Sequence, residues 1–319
     1  MKYNSFKDVK QVVGVCHPNW RGIKAATYAL TPKVFEVPAL SSLSEAENVA
    51  IEILEGKPKI IILNGYPAGY DFLAEALKTK SPKTRIFFLS HTSFTWYSDR
   101  TEEVSWLARM FKAYELGFIE KMGFIKPDVA AYFREQGINA FHVMNRLPKF
   151  ESFKHELNRD APAIGVWGSD MWHRNLLNQT IAGLMFKNTF IHMNELSEYF
   201  FLDKSRIKKY GVLSHQDYVQ ILKNMDVNLY VSFTDCFPMT VVESMSYGIP
   251  CLVSDTSNIF TWSKYLKENL IVNKIDSPMA IKEKIDWILN HYKDVQIEIV
   301  KYLPILNKEI EKTIERFIV

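Results

Sequence analysis

The sequence predicts an α/β protein of two domains, each a parallel β-sheet covered by helices on both faces, the two facing each other across a cleft. Three observations carry this expectation. Short apolar, β-branched runs alternate with helical patterns in both halves of the chain. Its 319 residues match the length of roughly two domains. One segment, residues 227–254, reads as strand, polar turn, short helix and strand, a βαβ unit.

In the first half a strand over 11–16 gives way to a helix over 22–30. Residues 59–63 form a second strand followed by a helix over 71–78, and 85–90 form a third strand. Continuous apolar strands bounded by turn residues need cover on both faces, which parallel sheets receive from their crossover helices. Residues 105–122 carry Trp106, Met110, Ala113, Leu116 and Gly117 at helical spacing, and Gly137 ends a short helix over 128–136.

The second half repeats the theme: strand 162–168, helix 175–186, strand 189–193, helix 195–201, the segment 210–213 and helix 216–224. Strand 227–231 then leads to a helix that opens at Thr240 and closes at Tyr247, Gly248 and Pro250, followed by strand 251–254. The run 276–319 reads as two helices broken near Pro304, closing the second domain or packing back on the first. Between the halves, residues 148–162 are polar and charged (Lys149, Glu151, Lys154, Glu156, Arg159, Asp160) with little apolar periodicity. The expected domains are therefore 1–155 and 156–319. No low-complexity tract or short tandem repeat interrupts them.

Composition narrows the class. Hydrophobic residues at 47% and charged residues at 24% suit an ordinary globular protein with a sizeable core. Cys16, Cys236 and Cys251 match no zinc-ligand spacing and suggest a reducing compartment. No apolar run approaches the roughly 20 residues needed to span a bilayer, and the N-terminus lacks the apolar core of a signal peptide. The expected location is cytoplasmic, with contact at most peripheral at the inner membrane face. Residues 1–150 carry 20 Lys+Arg against 15 Asp+Glu, an excess of five; residues 151–319 carry 19 against 21. That asymmetry suits plain solvation or an anionic acceptor, such as a lipid-linked glycan, a membrane surface or nucleic acid. The 105–122 stretch has a membrane-surface alternative in Trp106, Leu107, Met110, Phe111 and Phe118 with Arg109, Lys112 and Lys121. Glu115 and Glu120 among them favour a core helix. The eight histidines do not cluster and no Asp-x-Asp occurs, so no metal is expected to be required.

The segment 232–254 carries the chemistry. It sets Asp235 and Glu243 eight positions apart across the turn, with the following helix N-terminus at the carboxyl end of the sheet. There α/β proteins hold phosphorylated ligands. A capping box explains Thr240 and Glu243 without a ligand, and an Asx-turn explains Asp235. The whole order, acid, turn, small-residue helix, Gly-x-Pro and strand, resembles the donor-binding signature of retaining glycosyltransferases of the GT-B fold, family 4 (glycosyl transferases group 1). That family has two Rossmann-like domains, and its first acid is a glutamate where Asp235 stands here.

The resemblance implies that Glu243 binds the ribose of a nucleoside diphosphate sugar and that Asp235 lies near the transferred sugar. Backbone amides around Phe237, Pro238, Met239, Thr240 and Val241 would face the diphosphate and the sugar. It implies that Arg174 holds the diphosphate, since a guanidinium binds phosphate oxygens bidentately. The family's second basic residue falls on Ser169, which leaves Arg174 or His173 to neutralise most of the charge. Gly211, Leu213 and Tyr218 would read the base, although a helix cap at Ser214 explains the same residues. In the first half His91 would contact the transferred sugar or stabilise the reacting backbone, the aromatic run Phe94, Trp96 and Tyr97 would form an acceptor platform or simply core, and Arg21 and Gly22 would replace a glycine-rich loop.

The expected activity is retaining, metal-independent transfer of a sugar from a nucleoside diphosphate to a carbohydrate or lipid-linked glycan, with no cofactor beyond the donor substrate. Alternatives are a non-catalytic nucleotide-sugar-binding subunit, a nucleotide-sugar epimerase, and a transferase acting on a modified nucleic-acid base.

Overall fold

The computed structural model describes residues 11–148, 157, 158 and 160–319. The expected division at 155/156, the charged residues 149–156 and Arg159, and the N-terminal residues 1–8 lie outside the described residues. The chain divides into two compact units, Met1–Arg146 with Glu309–Val319, and Leu147–Lys308.

In the first unit β1 (Val12–Cys16), β2 (Lys33–Glu36), β3 (Ile60–Asn64), β4 (Arg85–Ser90), β5 (Lys121–Phe124) and β6 (Ala140–His142) form one wholly parallel sheet, ordered β2-β1-β3-β4-β5-β6. The crossovers are α1 (Arg21–Leu30), α2 (Leu43–Leu54), α3 (Tyr70–Lys80), α4 (Thr101–Glu115) and α5 (Pro127–Glu135). Helices on both faces bury the central strands completely: Ile61, Ile62, Leu63, Phe87 and Phe88 are all 0% exposed. Each such side chain contributes about 1.5–3 kcal/mol by leaving water. The switch in strand order falls between β1 and β3, where Cys16 is in register with Asn64.

The second unit holds β7 (Ala163–Val166), β8 (Phe190–Met193), β9 (Ile207–Lys209), β10 (Val227–Tyr230), β11 (Cys251–Ser254) and β12 (Ile271–Val272), parallel and ordered β12-β11-β10-β7-β8-β9. Its helices are α6 (Leu176–Leu184), α7 (His215–Leu222), α8 (Met239–Ser246), α9 (Lys264–Leu270) and α10 (Pro278–Asn290). Here the order switches between β7 and β10. The last helix, α11 (Tyr292–Ile318), starts in this unit, and Glu309–Val319 belongs to the first. There Arg146 pairs with Glu311 and Lys121 donates to the Phe317 carbonyl at 3.1 Å.

The structure corrects three expected elements. The helix drawn over 105–122 runs instead over α4, because Gly117 at φ +78° ends it and Lys121–Phe124 enters the sheet. Its Leu107, Met110 and Ala113 are buried in the first core, with Trp106 and Phe111 packed against them. That face is spent on the core, not on a membrane surface. No helix forms over 195–201, where backbone groups bond to side chains: Asp170 accepts from Ser197 N–H, and Lys209 Nζ donates to the Leu196 carbonyl. The C-terminal helices separate at His291, and α11 passes through Pro304 unbroken. Pro304 lies on the exposed face, so the freed carbonyl of Val300 meets water while buried Tyr302, Leu303, Leu306 and Ile310 hold the helix down.

A buried polar hub ties the second unit together. Asn228, 0% exposed in central strand β10, accepts from Trp167 Nε1 at 2.6 Å and donates to Ser244 Oγ at 2.8 Å and the Leu222 carbonyl at 3.2 Å. The Ser244 hydroxyl in turn donates to the Ile249 carbonyl. Only glycine fits at 165, since a Cβ there would stand 2.2 Å from Asn228 Oδ1. The hub anchors α8 one residue from Glu243. Replacing Asn228 with Ala strands the Trp167 indole donor and should cost about 1–3 kcal/mol. Urea unfolding followed by tryptophan fluorescence reads that loss as a lowered midpoint; an unchanged midpoint would show the hub to be idle.

Candidate active site

Ligands of doubly wound sheets sit beyond the carboxyl ends of the strands, at the point where strand order reverses. In the second unit that point lies between the chain leaving β7 and the chain leaving β10. Gln179 of α6 stitches the two exits: its Nε2 donates to the Arg174 carbonyl at 2.8 Å and its Oε1 accepts from Val231 N–H at 2.8 Å. Asn175, left-handed at φ +56°, adds a bond to the Val231 carbonyl at 3.0 Å.

Arg174 and Asp235 meet here. The guanidinium reaches both Asp235 Oδ2 and the Tyr230 hydroxyl, and the Tyr230 hydroxyl donates to Asp235 Oδ2 at 2.7 Å. Asp235 Oδ1 accepts from Cys236 N–H at 2.6 Å. Burial holds the Tyr230 phenol pKa well above its usual value, so it stays a proton donor to the carboxylate. Tyr230 was legible only as a core strand residue; its hydroxyl at the strand end is what the structure adds.

Asp235 lies within the β10–α8 connection and Glu243 inside α8 itself. The capping box does not form: Pro238 occupies the cap position without a side-chain bond, and the helix begins at Met239, one residue before the expected start. Both members of the box bond elsewhere. Thr240 Oγ1 accepts from the Tyr218 hydroxyl at 2.9 Å, and Glu243, 5% exposed, accepts from His215 Nε2 at 2.8 Å. Among the described residues, the amides of Met239 and Thr240 lack an intrahelical acceptor, as the first helical positions must. Val241 N–H turns back to the Pro238 carbonyl at 3.1 Å and its side chain is core, so its expected ligand-facing amide is already bonded. Phe237 and Pro238 are buried beneath the turn.

The remaining expected residues distribute unevenly. Tyr218 packs edge-on against Trp167 beside Glu243, and Leu213 and Gly211 (φ +66°) are half-buried in the loop between β9 and α7. His173 is 1% exposed, its ring set edge-on against Trp172, a packed side chain rather than a second surface cation. Ser169 is exposed and brings no charge. His215 was missed by sequence reasoning, which stopped at the Ser214 cap beside it.

The first unit has its own strand-end cluster at its switch. His91, just past β4, faces Asn64 Oδ1 with Nε2 at 3.2 Å, and burial pushes its pKa down to about 3. Gly65 adopts φ +79° under the Trp20 ring, where a Cβ would come within 2.7 Å. Arg21 and Gly22 are exposed in the first turn of α1, and a side chain at 22 would meet open space, so no local packing requires that glycine. Trp96 is half-buried, with the Arg100 guanidinium 5.2 Å over its ring. Among the described residues no three His, Cys, Asp or Glu side chains group as a metal site. No helix there is long and apolar enough to cross a membrane.

Glu243 raises the pKa of His215 above its ordinary 6.5 through their hydrogen bond. The pair's contribution to stability is therefore full below about pH 6.5 and fades as pH rises through the folded-state value. An NMR titration of the His215 ring should show the raised pKa in the wild type and a lower one in Glu243→Gln. Equal values would remove the carboxylate as the cause.

Residues 199–299 match the family model Glycosyl transferases group 1. No curated protein matches the sequence. Among solved structures, an α,α-trehalose-phosphate synthase (UDP-forming) from Burkholderia xenovorans, in complex with glucose-6-phosphate, is similar at 12% identity and TM-score 0.62, over 96% of this chain and 98% of that one. An E. coli trehalose-6-phosphate structure bound with UDP-2-fluoro glucose gives 10% identity and TM-score 0.60, over 96% and 98%. Sucrose-phosphate synthase from Thermosynechococcus elongatus gives 13% and 0.57, over 90% and 77%. At such identities the likeness is one of fold. Fold and family match agree: the chain has the two-domain GT-B fold of these structures, and its second unit carries the match to Glycosyl transferases group 1.

Proposed function

We propose that the protein is a retaining, metal-independent glycosyltransferase that moves a sugar from a nucleoside diphosphate to a hydroxyl of a carbohydrate or lipid-linked glycan. The observation that carries this reading is the strand-end cluster of the second unit: buried Glu243, the open amides of Met239 and Thr240, and the Arg174–Tyr230–Asp235 group.

In this reading the Glu243 carboxylate accepts from the two ribose hydroxyls, displacing or sharing with His215. Tyr218 and Leu213 flank the base. The donor diphosphate competes with Asp235 for Arg174 and meets the first turn of α8, whose dipole and amides favour anions. As the bond to the sugar breaks, charge builds on the departing diphosphate. Arg174 and those amides stabilise it without reorganising, the kind of contribution that removal of a single donor shows to be worth about 10²–10³ in rate. Asp235, aimed by Tyr230, accepts from hydroxyls of the transferred sugar. His91 and the other strand-end residues of the first unit serve the acceptor and the sugar. The similar structures that hold UDP-2-fluoro glucose in one case and glucose-6-phosphate in another make a UDP-sugar the first donor to try.

A second reading, a nucleotide-sugar-binding subunit without transfer, draws on Ser169 in place of a second cation and on Arg174 already bonded to Asp235. Thermal-shift measurements with UDP-, GDP-, ADP- and TDP-sugars separate the readings when paired with transfer assays. Binding stabilises the folded chain by about 2.7 kcal/mol at a hundredfold excess over Kd. One donor class should raise the melting point, Glu243→Gln should remove most of that rise, and transfer should persist in EDTA. A shift without turnover favours the subunit; no shift with any donor would overturn both.

A further inference from the structure

His91, beyond the end of β4 and bonded to Asn64 at the end of β3, is a titratable group whose protonation can be worked out from its partners. Among the described residues its ring makes a single hydrogen bond, to Asn64 Oδ1 at 3.2 Å. Which end of the Asn64 amide faces the ring is decided by the other end. Asn64 Nδ2 lies 3.1 Å from the Ile62 carbonyl, which can only accept. Turning the amide over would bring two acceptor oxygens together in a site where Asn64 is 0% exposed, so the oxygen must face His91. An oxygen there accepts, hence His91 Nε2 carries the proton. In a neutral imidazole the second nitrogen, Nδ1, is then a bare lone pair.

Burial of both residues keeps the ring neutral, in line with its depressed pKa. A neutral ring offering a lone pair cannot counter the charge of a phosphate. It can accept from a hydroxyl.

The geometry points to Asn64 as a positioning residue that locks His91 in the Nε2–H tautomer, so that Nδ1 serves as a hydrogen-bond acceptor for a sugar hydroxyl and not as an anion contact. The lock follows from the hydrogen bonds alone; the sugar as occupant rests on the glycosyltransferase reading.

Nitrogen-15 NMR of the full chain labelled at histidine tests it, with His91→Gln identifying the resonance. At neutral pH the wild type should show a neutral ring with Nε2 protonated. Asn64→Asp should convert the ring to imidazolium, and Asn64→Leu, which leaves Nε2 without a partner, should mix the tautomers. The nucleoside diphosphate sugar giving the largest thermal shift should move the Nδ1 resonance, while inorganic pyrophosphate should leave it in place. Asn64→Leu should slow transfer about tenfold, the worth of one hydrogen bond. An Nδ1–H tautomer, an imidazolium at pH 7 in the wild type, or an Nδ1 resonance that moves with pyrophosphate and not with the sugar overturns the inference. The tautomer is read before any donor is added, so its failure is distinct from failure of the transferase reading.

Discussion

The candidate site depends on the pairing of β7 with β10, two strands some sixty residues apart in sequence that lie in register from Ile164 with Val227 to Val166 with Leu229. Parallel pairing sends both chains out of the sheet at the same end. The reversal of strand order carries their crossover helices apart, so neither loop covers the other. Gln179 and Asn175 then spend their amides holding the two exits at a fixed spacing. Without that pairing Arg174 and Asp235 would have no reason to meet.

Charge at the site is arranged in two steps. A half-buried arginine and a buried aspartate neutralise one another, and a tyrosine between them satisfies a lone pair that would otherwise be costly to bury. In the proposed function an incoming diphosphate would take over the arginine, and the aspartate released from it would gain hydroxyls to accept from. Glu243 follows the same logic with a weaker partner, since the side chain of His215 is 66% exposed and its bond is easily exchanged. Buried carboxylates thus keep partners that a polar substrate can replace one for one.

Much of this was legible before any coordinates. The central strands announce themselves as unbroken apolar runs, and 85–90 and 251–254 match β4 and β11 at both ends. Motif order and resemblance singled out Asp235, Glu243 and Arg174; the structure brings Arg174 and Asp235 together beyond the strand ends and sets Glu243 inside α8, bonded to His215. What escaped has physical reasons. Edge strands β2 and β9, with Lys33, Glu36, Lys208 and Lys209, are too polar to read as strands. Helix α2 carried a readable signal in Ser42 and Glu45, where Ser42 Oγ does accept from Glu45 N–H. At 105–122 the apolar spacing of the helix runs straight into that of β5, and only Gly117 marks the change. Tyr230, His215 and Asn64 act through partners distant in sequence, which no local pattern encodes.

The central claim is that a nucleoside diphosphate lies across the β7–β10 switch of the second unit. A crystal structure of the chain grown with the nucleoside diphosphate that binds most tightly would test it most directly. The account predicts ribose hydroxyls on the Glu243 carboxylate and phosphate oxygens on Arg174 and the amides of Met239 and Thr240. A nucleotide bound elsewhere, with Glu243 still on His215 and Arg174 still on Asp235, would contradict it.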